Sequence, residues 1–96
     1  MPKILVITPI RHIHGVSELL ESFGEVTYLD DPSSDEVLDV IAGYDALYTN
    51  PNKSKVFIDS QLIDAGTNLK VICTASTGTN HIDKIYAEKM NVFIIA

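Results

Sequence analysis

The sequence predicts an α/β fold: a flavodoxin-like, doubly wound parallel sheet of five strands with helices on both faces. Three observations carry that prediction. Five short apolar runs recur at intervals of about twenty residues. Stretches with helical periodicity fill the intervals between them. Most of the runs are nearly continuous in apolar or β-branched residues instead of alternating, the pattern of parallel strands covered on both faces.

The elements follow in order. The run "ILVI" from Ile4 is the first strand, and Val16, Leu19, Leu20 and Phe23, spaced i, i+3, i+4, i+7, predict the first helix. Gly24 stands where a C-terminal glycine would stop it. The second strand is "VTYL" from Val26. Asp30 and Asp31, before Pro32, belong to the loop that follows and are not paired catalytic carboxylates. Ser33 and Glu36 have the spacing of a capping box, Val37, Leu38 and Ile41 supply the apolar face of the second helix, and Gly43 ends it. "ALYT" from Ala46 is the third strand. A shorter helix around Ile58, Leu62 and Ile63 ends at Gly66. "VICT" from Val71 is the fourth strand. The fourth helix places Ile82, Ile85, Tyr86 and Met90 on one side with Asn80 as its cap, and "VFII" from Val92 is the fifth strand. Right-handed crossovers make 2-1-3-4-5 the natural strand order, with a Rossmann-like 3-2-1-4-5 left open. The fifth run meets the end of the sequence at Ala96 with no helix after it, so a longer protein or a partner is expected to cover it.

With 96 residues the chain holds one domain, and it should bury roughly 60 to 65 % of its unfolded surface. Thirteen acidic against seven basic side chains give a formal charge of -6, the wrong balance for tracking phosphates or anionic lipid. The expected partners therefore include no nucleic acid and no membrane. The apolar runs are too short to span a bilayer, and a cytoplasmic protein is the default reading. Cys73, the single cysteine, lies in the apolar run "KVICT" and is expected in the core; it supports neither a disulfide framework nor a metal quartet. His12 and His14 lack a third ligand nearby in sequence, so no metal site is expected.

In open α/β sheets ligands bind beyond the carboxyl ends of the strands. Three loops qualify: "TPIRHIH" after the first strand, "TNPNKS" after the third and "TASTGTNHID" after the fourth. A dinucleotide needs several glycines at such a turn, and "TASTGTNHID" has only Gly78. One glycine before a helix start suits a small anion such as a carboxylate, bound by free backbone N–H groups; the plainer reading is that Gly78 permits a turn and nothing more. Asn50, Pro51 and Asn52 offer amides on a stiffened turn, suited to polar recognition or simply to turning the chain. His81 stands beside the anion turn. A phospho-acceptor receiver domain would need aspartates where Thr8-Pro9 and Thr49-Asn50 stand, so that chemistry has no residues to perform it.

The segment "NLKVICTASTGTNHIDKIYAEKMNVFIIA", Asn68 to Ala96, closely resembles the D-isomer-specific 2-hydroxyacid dehydrogenases: N-L-K-x-I, a small-residue loop with x-G-x-D/N-x-I-D, then a helix and a strand. "ALYTNPNKSKVFIDSQLIDAG" resembles the same family's third strand, loop and following helix. The resemblance covers the whole chain. It implies that residues 1–96 are most of the smaller, substrate-binding domain, and that a nucleotide-binding domain with the catalytic residues and the NAD or NADP site lies beyond Ala96. None of the family's catalytic residues falls in this chain. A final helix would return from the C-terminus to the small domain, which accounts for the bare last strand. Thr77 and Gly78, flanked by Ser76, match the loop whose backbone N–H groups hold the substrate carboxylate. Asn50 to Asn52 match the loop facing the variable end of the acid. Ser-Thr-Gly-Thr-Asn replaces the commoner Gly-Val-Gly-x-Asp, so the acid itself is not specified.

The implied activity is hydride transfer between a nicotinamide and C2 of a 2-hydroxy or 2-oxo acid, with this domain orienting the acid in a cleft that closes over it and the whole protein a homodimer. The alternative is a stand-alone small-anion-binding or regulatory α/β module without catalysis.

Overall fold

The computed structural model describes residues 2–10, 15–50, 56–74 and 81–95. Five parallel strands, β1 (Lys3–Val6), β2 (Glu25–Tyr28), β3 (Ala46–Thr49), β4 (Val71–Thr74) and β5 (Phe93–Ile95), form one sheet in the order β2-β1-β3-β4-β5. Of the two orders open in the sequence, the first is therefore the one adopted. The register aligns Leu5, Leu47 and Ile72 in one row across β1, β3 and β4, with Ile94 beside Ile72 on β5. The helices among the described residues are α1 (Val16–Phe23), α2 (Ser34–Val40), α3 (Ser60–Ala65) and α4 (Lys84–Lys89), with a 3-10 turn Ile41–Gly43 extending α2.

The helices divide unequally between the faces. Val37, Leu62, Ile63 and Ala87 of α2, α3 and α4 pack with Leu5, Ile7, Leu47 and Ile72 in the larger core. On the other face Ile4, Val6 and Ile10 form a smaller cluster with Val16 and Leu20 of α1. α1 alone cannot span five strands. β3 and β4 consequently alternate between fully buried and half-buried residues, and Phe93 and Ile95 of β5 stand exposed. The apolar stripe read from the sequence on α1 is only half used, because Leu19 and Phe23 remain exposed while Val16 and Leu20 pack.

Local chemistry sets most helix ends. The Ser33 hydroxyl accepts from the Glu36 N–H at 3.2 Å and the Glu36 carboxylate accepts from the Ser33 N–H at 3.1 Å, closing the expected capping box. Asp59 caps α3 through the Leu62 N–H at 3.0 Å, and Gly66 ends it. Gly24 ends α1 in an extended conformation and not in a left-handed one. Its lack of a side chain matters for packing: a Cβ there would overlap the Pro2 carbonyl oxygen, which accepts from the Glu25 N–H at 2.9 Å. Gly15, before α1, has φ +86°, a conformation costly for other residues.

α4 departs from its sequence reading. Its cap is Asp83, whose carboxylate accepts from the Tyr86 N–H at 3.1 Å, in place of the expected Asn80, which lies outside the described residues. The reason is a parallel bridge between Ile58 and Ile82, in which the Ile58 N–H donates to the His81 carbonyl and the Asp83 N–H donates to the Ile58 carbonyl, each at 2.8 Å. Extended backbone at Ile82 postpones the helix to Lys84. Ile82 is thereby buried before the helix begins, whereas Ile85 points to solvent.

Candidate functional site at the carboxyl edge of the sheet

All five strands run the same way, so the connections leaving β1, β3 and β4 start from one edge of the sheet. Of the residues expected at the site, Asn50 is described, half-buried directly after β3. Pro51, Asn52, Ser76, Thr77 and Gly78 lie outside the described residues, as do His12 and His14.

What the structure shows at that edge is a threonine near the end of each central strand. Thr8, Thr49 and Thr74 are all buried, the first two at 1 % and 0 % exposure. Thr49 and Thr74 sit side by side in the register of β3 and β4. Residue parity puts Thr49 in line with Leu47 on the three-helix face, and Thr8 in line with Val6 on the α1 face. The Oγ1 atoms of Thr8 and Thr49 have no hydrogen-bond partner among the described residues. Sequence reasoning used Thr8 and Thr49 only to exclude phosphoryl chemistry; that their hydroxyls lack a partner among the described residues depends on packing that no local pattern reveals.

His81 is brought to the same edge by the Ile58–Ile82 bridge. It precedes α4 instead of opening it. Both ring nitrogens are shut off from solvent and unpaired among the described residues, and burial pushes the imidazole pKa below its ordinary value. The neutral ring is therefore favoured. Among the described residues no group of three His, Cys, Asp or Glu side chains is gathered to hold a metal.

Cys73 is half-buried, not sealed in the core as expected. It lies on the thinly covered α1 face in an apolar groove of about 320 Å³ lined by residues including Ile4, Leu20, Phe23, Tyr48 and Val71. Burial raises its thiol pKa, the opposite of what a reactive thiolate needs, and burial together with the neighbouring Cys73 raises that of Tyr48.

The family model for the catalytic domain of D-isomer specific 2-hydroxyacid dehydrogenases matches residues 4–96. The chain belongs to this family. A glyoxylate reductase of Thermofilum pendens is 36 % identical over 96 residues, covering 97 % of this chain and 27 % of the reductase. A D-3-phosphoglycerate dehydrogenase of Synechocystis is 27 % identical over 95 residues, covering 99 % of this chain and 16 % of the enzyme. Among solved structures, a Pyrococcus horikoshii protein superposes with a TM-score of 0.88 at 26 % identity, covering 98 % of this chain and 27 % of that one. An NAD+-bound 3-phosphoglycerate dehydrogenase of Entamoeba histolytica gives 0.82 at 26 % identity, with 97 % and 32 % covered. This dehydrogenase-family chain thus spans less than a third of the length of these relatives.

Proposed function

We propose that this domain binds and orients a 2-hydroxy or 2-oxo acid for an NAD(P)-dependent D-2-hydroxyacid dehydrogenase. The observation that carries the reading is the match of the family's catalytic-domain model to residues 4–96, on a sheet whose central strands send their connections out at one edge. In this reading Thr77 and Gly78, flanked by Ser76, supply the backbone N–H groups for the acid's carboxylate, and Asn50, Pro51 and Asn52 face its variable end. A carboxylate gains charge-assisted hydrogen bonds from such a turn without any side-chain cation.

The residues present do not fit a dinucleotide. Gly15 is the one glycine of the first βα connection, and a Cβ added to it would meet open space among the described residues, so these show no close cradle there for a pyrophosphate. The nicotinamide coenzyme, which supplies the hydride chemistry, therefore belongs in this proposal to a nucleotide-binding domain outside residues 1–96. That arrangement also gives the α1 face an occupant: a helix of the longer polypeptide packing over Tyr48, Cys73 and Phe93. The reading extends to a cytoplasmic homodimer with no nucleic-acid or membrane partner. The charge of -6 speaks against a nucleic-acid or anionic-lipid partner, and among the described residues no helix is long and apolar enough to cross a membrane.

The test is an assay of the polypeptide joining this domain to its coenzyme-binding domain, following NADH or NADPH oxidation with a panel of 2-oxo acids. Reduction of at least one is expected, and Gly78→Val should raise its KM by about tenfold or more by crowding the anion turn. Oxidation of neither coenzyme would leave the non-catalytic anion-binding module. Activity with an unchanged KM in the variant would remove the anion-turn assignment alone.

A further inference from the structure

We draw no further inference here: the strongest candidate, the apolar groove on the α1 face of the sheet lined by residues including Leu20, Phe23, Tyr48 and Cys73, carries nothing beyond the covering helix already proposed, because nothing in the structure shows what else would sit on it.

Discussion

Burial of the His81 imidazole ties the stability of the fold to pH. Its folded-state pKa lies below the ordinary value of about 6.5, so on acidification the unfolded chain takes up the proton first. The contribution to stability is complete above about pH 6.5. It declines as pH falls through that value towards the depressed folded pKa. The carboxylates are common to the parent and to His81→Gln, so the difference between the two isolates the imidazole. Urea unfolding at pH 8 and pH 5.5 should show the parent losing more stability than His81→Gln; equal losses would mean that the ring is not desolvated. That His81 follows the fourth strand at the carboxyl edge of the sheet was legible from its place after the run "VICT". That both nitrogens are sealed was not, because it depends on a pairing with Ile58, twenty-three residues earlier in the chain.

At the scale of elements, what could be read was what is decided within one turn of chain. The capping box of α2 needs only Ser33 and Glu36, three residues apart, and it forms as read. Ser33→Ala removes the hydroxyl that accepts from the Glu36 N–H and also weakens the reciprocal bond by unfixing the turn. A loss of about 1 kcal/mol is expected, with no change in the denaturant slope. Equilibrium unfolding in urea measures it, and a variant as stable as the parent would show that the box is not formed in solution. α4 illustrates the opposite case. Its apolar spacing invited a start at Asn80 with Ile82 and Ile85 on one face, but the bridge from Ile58 holds Ile82 in extended backbone and hands the cap to Asp83. Nothing local to residues 80–90 announces that partner. The short length of α4 follows, and so does the exposure of Ile85.

At the scale of the whole molecule, the strand runs were read as covered on both faces, and the chain covers one face well and the other in part. On the α1 side Val71 pairs with Phe93 and Cys73 with Ile95 in the register of β4 and β5, so these apolar side chains form a continuous strip next to the groove under Leu20 and Phe23. Phe93 and Phe23 are 75 % and 64 % exposed. A contiguous apolar strip beside an unprotected sheet edge favours association, since joining two such faces removes apolar area from water at about 25 cal/mol per Å². The 96-residue chain by itself should therefore sediment as a mixture that shifts to larger species as concentration rises. Phe23→Glu combined with Phe93→Glu places charge in the strip at positions that contribute little to the core, so the double variant should stay folded by circular dichroism and remain monomeric. A parent that is monomeric at every concentration would mean the strip is already protected, by repacking of α1 across β4 and β5. The proposed covering helix would occupy the same face, and Cys73 reports on that: alkylation of its thiol by iodoacetamide, measurable in the monomeric variant, should slow in a polypeptide that supplies such a helix. Equal labelling rates in the two contexts would place that helix elsewhere.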